Sequence, residues 1–185
     1  MKKQSGFTLL ELIIAMVIVG ILATLAVPGF SSLMQSNNLS TKYNNLAGNI
    51  SLARMEAVKR STPIVLCASS NESSCNSTDW SDGWLVFVDD NGNNAFDAAG
   101  DTLLLVESAA PSYISITSAQ FGGILSIAPR GRLASPGTIL MCANNDSATA
   151  KALNLQVTGL GRLAADGPDT GDIVEDISGF DIDCS

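Results

Sequence analysis

The segment from Phe7 to Val27 constrains this chain more than any other: Leu12 to Ala23 has no polar side chain, and a single carboxylate, Glu11, stands at its edge. Wound as an α-helix at about 1.5 Å per residue, its 21 residues extend roughly 30 Å, one hydrocarbon thickness. The sequence thus predicts a helix able to span a bilayer, behind a short polar stretch, Met1 to Gly6, made basic by Lys2 and Lys3. A carboxylate at membrane depth costs about 2.5 to 3.5 kcal/mol on insertion scales, so Glu11 needs a partner or water and marks a functional position. It lies four residues after Phe7, on the same helical face. Snorkelling to the headgroups is the purely structural alternative.

A secretory signal would be cut after its apolar core, where Thr24-Leu25-Ala26 is a poor site. A cut at Gly6-Phe7 instead leaves the whole apolar helix on the mature protein. Gly6-Phe7-Thr8-Leu9-Leu10-Glu11, followed by the apolar run and Pro28, resembles the type III signal of type IV prepilins and type II secretion pseudopilins. The resemblance implies cleavage between Gly6 and Phe7 by a prepilin peptidase and methylation of the new Phe7 amine. It also implies that Glu11 pairs with the Phe7 amine of a neighbouring subunit during filament assembly.

Composition fits one exported domain behind this stem. Without Lys2 and Lys3 the ten basic side chains fall to eight against eighteen acidic ones, a side-chain charge of −10. Such a surface repels phosphate backbones and anionic lipid heads. Cys67, Cys75, Cys142 and Cys184 allow three pairings. Cys67 with Cys75 closes a short polar loop, and Cys142 with Cys184 then ties down the C-terminus. In the chain-entropy model these loops contribute about 2.5 and about 4 kcal/mol at most. A four-cysteine zinc site lacks the short C-x2-C knuckle, so no metal and no cofactor are expected.

After Pro28-Gly29 the pattern becomes one-sided. Leu39, Tyr43, Leu46, Ile50, Ala53 and Ala57 form a helical stripe, while Asn38, Lys42, Asn45, Asn49, Arg54 and Glu56 fall mainly elsewhere. The two halves together predict a helix of up to about 54 residues, near 80 Å. Gly20 lowers helix propensity and Pro28 removes a backbone donor, so both mark positions of helix flexibility. The resemblance to pilins implies that the stretch between them unwinds in a filament.

Beyond Ser61-Thr62-Pro63 the pattern turns to strands. Ile64–Ala68, Trp84–Val88, Thr102–Val106, Tyr113–Thr117, Ile124–Ile127, Thr138–Ala143 and Leu153–Thr158 are separated by Gly, Asn, Asp and Pro clusters, which predicts an antiparallel sheet or sandwich. The fold class is α+β. The expected division is 1–6 a leader, 7–28 a transmembrane and assembly helix, 29–62 an amphipathic half, and 63–185 a β-rich head.

Ala53-Arg54-Met55-Glu56-Ala57-Val58-Lys59-Arg60 before Val65-Leu66-Cys67, then Asp82-Gly83-Trp84-Leu85-Val86-Phe87-Val88-Asp89, resembles the FimT/FimU and GspH group. Asp101-Thr102-Leu103-Leu104, Pro129-Arg130-Gly131-Arg132 and Thr138-Ile139-Leu140-Met141-Cys142 continue it in order. The resemblance implies a minor pilin or pseudopilin at or near a filament tip. It further implies a chain held in the bacterial inner membrane by a single pass, Phe7–Val27, with a periplasmic head, before entering a pilus or pseudopilus. The implied partners are the prepilin peptidase, the major pilin, other minor pilins and the inner-membrane assembly platform.

Three other readings fare worse. The loop Asp89 to Asp97 is rich in oxygen ligands but out of EF-hand register, with Asn94 at the sixth position and Gly100 at the twelfth, and a hydrogen-bonded turn is preferred. Some FimT-type pilins take up DNA with a Gly-Arg-x-Arg motif, but the corresponding stretch is Gly161-Arg162-Leu163-Ala164. Arg130, Arg132 and Arg162 are a thin footprint for DNA, and nucleic acid is not expected as a partner. Enzyme chemistry based on imidazole is excluded because the chain has no histidine.

Overall fold

The computed structural model describes residues 8–164, 174–178, 181, 182 and 184 of the chain, which places Gly6 and Phe7 outside the described residues. Helix α1 (Leu9–Arg60) begins at a side-chain cap: the Glu11 N–H donates to Thr8 Oγ1 at 3.3 Å and the Leu12 N–H to the Thr8 carbonyl at 3.2 Å. It ends with Lys59 and Arg60 in its last turn, where basic groups oppose the dipole, followed by Ser61 at φ 55°. The chain divides into two compact units, residues 1–38 and residues 39–185.

In the first unit the large apolar side chains from Leu9 to Leu22 are all exposed, as are those of Phe30, Leu33 and Met34. No helix among the described residues is long and apolar enough to cross a membrane. The exposed apolar run Leu9–Leu22 rises about 21 Å, less than a hydrocarbon core, and is part of the Phe7–Val27 span predicted above. The backbone remains helical at both Gly20 and Pro28.

In the second unit Leu39, Leu46, Ile50, Ala53 and Ala57 are buried, the stripe the helical period marks. Lys42, Asn45 and Asn49 depart from the predicted solvated face. Lys42 Nζ bonds Glu107 Oε1 at 2.7 Å and the Ser108 carbonyl at 2.8 Å, 5.7 Å from the Trp84 ring centre. Asn45 reaches the same carboxylate at 3.1 Å, and Asn49 is buried. The amphipathic pattern separates apolar from polar side chains but cannot foresee an edge-strand carboxylate waiting for the polar ones.

One antiparallel sheet has the order β3-β2-β1-β5, from β1 (Ile64–Ala68), β2 (Gly83–Val88), β3 (Thr102–Ser108) and β5 (Ile124–Ile127). The other has the order β4-β6-β7-β8, from β4 (Ile114–Thr117), β6 (Gly137–Ala143), β7 (Asp146–Leu155) and β8 (Gly161–Leu163). A short pair joins β9 (Val174–Glu175) and β10 (Asp181–Ile182). β7 begins earlier than the expected Leu153–Thr158 because Asn144 and Asn145, at φ 54° and 55°, make a two-residue hairpin turn that pairs Ala143 with Asp146.

The main core joins the helix stripe to Ile64, Leu66, Trp84, Val86, Ile127, Ile139 and Leu153. β1 and β2 are buried along their whole length because the opposite face is covered too. There Val65, Cys67, Leu85 and Phe87 pack against Cys75 and Phe96, with the Phe87 and Phe96 rings edge-on at 5.3 Å. Disulfides link Cys67 to Cys75 and Cys142 to Cys184, with Cα separations of 5.4 and 5.8 Å. Leu46→Ala should cost about 2–5 kcal/mol of stability, whereas Met55→Ala, exposed on the same helix, should stay within about 0.5 kcal/mol. Urea denaturation followed by tryptophan fluorescence checks the pair.

Candidate functional site

Two regions carry the residues singled out by the sequence, and each lies within one compact unit. The first is the start of α1. Thr8 is its N-cap and Glu11 its third helical residue, so Thr8-Leu9-Leu10-Glu11 has the spacing of a capping box. A carboxylate in the first turn is favoured by the free N–H groups and dipole of the helix end. The four-residue step from Phe7 drew attention to Glu11 but passed over Thr8, for which the T-x-x-E pattern was the available signal. A Cβ added at Gly20 would meet nothing within 4 Å, so that glycine is not required by packing inside the chain.

The second region is the head, at the end where α1 finishes. Arg130 and Arg132 are exposed on either side of Gly131 in a tight turn closed by Gly131 N–H to the Ala128 carbonyl at 2.7 Å and Ala128 N–H to the Arg132 carbonyl at 2.9 Å. Gly131, at φ 71°, lies against Arg54: its added Cβ would be 3.0 Å from Arg54 Cγ and 3.2 Å from Val58 Cγ2. Arg54 Nε donates to the Gly131 carbonyl at 3.3 Å. The turn after β7 closes on the same spot, since Gly159, at φ 75°, would drive a Cβ into the Gly131 carbonyl oxygen. Arg162 follows three residues later on β8, opposite Asn154.

The fold therefore gathers Arg54 with Arg130 and Arg132. Arg54 was missed as a site residue because its helical position explained it already. No carboxylate among the described residues is paired with these arginines; the ion pairs are Lys42–Glu107, Lys59–Glu56 and Arg60–Glu56. The bonds from Arg60, and then from Lys59, hold the Glu56 carboxyl below its ordinary value.

The acidic loop resolves as a turn. Asp89 is buried and accepts backbone N–H groups from Gly92, Asn93 and Asn94 at 2.8, 3.2 and 3.0 Å. Asp101 accepts those of Asp90 and Asp97 at 3.1 and 2.8 Å. Among the described residues no group of three Cys, Asp or Glu is placed to hold a metal ion.

An exposed apolar helix capped at a threonine, followed by a helix-packed antiparallel head, defines a pilin-like protein. Residues 43–161 match the family described as type II transport protein GspH, and residues 1–27 match the prokaryotic N-terminal methylation motif. The chain belongs to this family of minor pilins and pseudopilins, which are structural subunits. It is 30% identical over 156 residues to the pilin-like protein PilA1 of Thermus thermophilus, covering 81% of this chain and 92% of that protein. Its fold is that of the Pseudomonas aeruginosa type IV minor pilin FimU. In one crystal form the TM-score is 0.56 at 18% identity, over 73% of this chain and 96% of that one. In another it is 0.51 at 17%, over 71% and 98%.

Because the Glu56 carboxyl is lowered in the folded chain, its stabilising effect is present above the ordinary carboxylate range and lost as pH falls through its folded value. Glu56→Gln should melt slightly below the parent at neutral pH and together with it once the parent's Glu56 is protonated in the folded as well as the unfolded state. Added salt should narrow the gap, since both cationic partners are exposed. Thermal melts across pH and ionic strength make the comparison.

Proposed function

We propose that this protein is a minor filament subunit that performs no chemistry of its own. The observation that carries the proposal is the capped start of α1, where Glu11 is held in the first turn and the large apolar side chains from Leu9 to Leu22 lie uncovered by the rest of the chain. A peptidase cut between Gly6 and Phe7, followed by methylation of Phe7, sets a positively charged amine one residue ahead of the cap. Glu11 pairs with that amine on the neighbouring subunit, which offsets the cost of a carboxylate at membrane depth and sets the axial register of adjacent helices.

The stretch Leu12–Val27 holds the subunit in the inner membrane and later in the filament core, where the helix between Gly20 and Pro28 unwinds. The head, braced by its two disulfides, meets the major pilin, the other minor pilins and the assembly platform. The subunit helps to initiate assembly and links the tip subunits to the shaft. A second reading, a minor pseudopilin of a type II secretion system, is favoured by the family match over residues 43–161.

Mass spectrometry of the native N-terminus should give a methylated Phe7; an end near Val27 overturns the proposal. Glu11→Ala should lower incorporation into purified filaments at least about tenfold, the equivalent of about 1.4 kcal/mol, while membrane insertion is unchanged. Equal incorporation of both chains removes the role assigned to Glu11.

A further inference from the structure

Arg54 is held differently from the other basic side chains of the head. Its stem lies between two glycines of positive φ: a Cβ at Gly131 would be 3.0 Å from Arg54 Cγ, and one at Gly159 would be 3.1 Å from Arg54 Cδ. Its Nε is committed to the Gly131 carbonyl at 3.3 Å, whereas its two Nη groups have neither a hydrogen-bond partner nor a carboxylate among the described residues. Other cations nearby are already paired: Lys59 and Arg60 with Glu56, and Lys42 with Glu107. A guanidinium fixed at its stem and free at its tip has given up much of its conformational freedom before any ligand arrives. A carboxylate then meets two parallel donors at little further cost in order.

The surface around Arg54 has the make-up of a protein contact. Val58, one helical turn on, touches the Gly131 turn; Met55 on the same stretch of helix and Leu160, next to Gly159, are exposed as well. Arg130 and Arg132 stand exposed on either side of Gly131. Aliphatic side chains are thus bordered by arginines, the arrangement of an interface with an apolar centre and a charged rim. The rest of the chain is acidic, with a side-chain charge of −10 without the leader, so this local positive charge steers an acidic partner to one place.

We propose that Arg54, with Arg130 and Arg132, forms a docking surface for a different subunit of the filament, one that presents an aspartate or glutamate beside an apolar side chain. The carboxylate bonds the Nη groups of Arg54, and the apolar group lies against Val58, Met55 and Leu160. The proposal rests on the filament reading above only for the source of the partner. A second copy of this chain is not that partner, because a minor subunit has other subunits for neighbours. Phosphate is the other anion that suits a guanidinium. The aliphatic side chains offer no ring on which a base stacks, and the overall negative charge works against a polyanion longer than the patch.

The test measures, by fluorescence anisotropy, binding of a labelled peptide to the full chain in nanodiscs of zwitterionic lipid, with empty discs as the blank. The probe is a short peptide alternating Glu and Leu, and the controls are the same peptide with Gln for Glu and a short DNA duplex of equal charge. The Glu/Leu peptide should bind at least about tenfold more tightly than either control, and Arg130→Glu with Arg132→Glu should lower its affinity at least about tenfold. Arg54→Lys keeps the charge but loses the fork and should cost about threefold or more; Val58→Ser should cost about threefold with the salt dependence unchanged. Arg130 and Arg132 are exposed, so their reversal should melt with the parent and decides the matter even if Arg54→Lys folds less stably. The surface is refuted if the folded parent does not bind the Glu/Leu peptide, if the Gln peptide or the duplex binds as tightly, if a second copy of the chain displaces the peptide, or if the reversal leaves its affinity unaltered. In cells the reversal should lower incorporation into purified filaments at least about threefold while Phe7 is still methylated. Unchanged incorporation of a methylated chain defeats the surface and leaves the filament reading standing, whereas a native N-terminus near Val27 defeats that reading and with it the partner named here.

Discussion

The head is organised around one strip of helix. Leu39, Leu46, Ile50, Ala53 and Ala57 point into the space between the sheets, and the last two are alanines with no exposed surface. The alanines leave room for strand side chains against the helix, while Leu46 and Ile50 add larger apolar groups to the shared core. Everything else in the head is placed relative to that strip. β1 and β2 lie across it, β6 and β7 complete the core, and the turns after β5 and β7 close over Arg54 one helical turn beyond Ile50. Removing apolar volume from the strip loosens the contacts that fix both flanks of the sheet.

Polar side chains mark the two margins of the same helix. On one margin Lys42 and Asn45 converge on Glu107 of the edge strand β3, with Lys42 also above the Trp84 ring. This helps to block an edge strand whose sequence, Leu103-Leu104-Leu105-Val106, is otherwise suited to unwanted pairing. On the other margin Arg54 is walled in by Gly131 and Gly159, both with positive φ; a Cβ at Gly159 would collide with the Gly131 carbonyl oxygen, and one at Gly131 would press on the Arg54 stem. Its charge is displayed at the surface through a stem that is packed like an apolar residue.

Much of this is legible in the sequence alone. The helical stripe, the position of β1 and of β5, and the change from a helical stripe to short β-rich runs after Pro63 follow from local side-chain pattern. β7 was legible only in its buried half. Its first part, Asp146 to Lys151, has no buried residue and no apolar alternation, and it is strand because the Asn144-Asn145 turn folds it back onto β6. β8, β9 and β10, of two or three residues each, are too short to show a period. For the site, Glu11 was conspicuous because a charge interrupts an apolar run. Thr8 and Arg54 were inconspicuous because capping and loop closure depend on backbone groups that a list of side chains does not display.

The Cys67–Cys75 bond also has a bearing on where such a head can mature. It lies on the far face of β1, and Cys75 is part of the cover over Val65, Leu85 and Phe87. The helix-facing side of that strand closes by hydrophobic packing, whereas its other side joins the packing of Phe96 to a covalent bond whose formation needs an oxidising compartment.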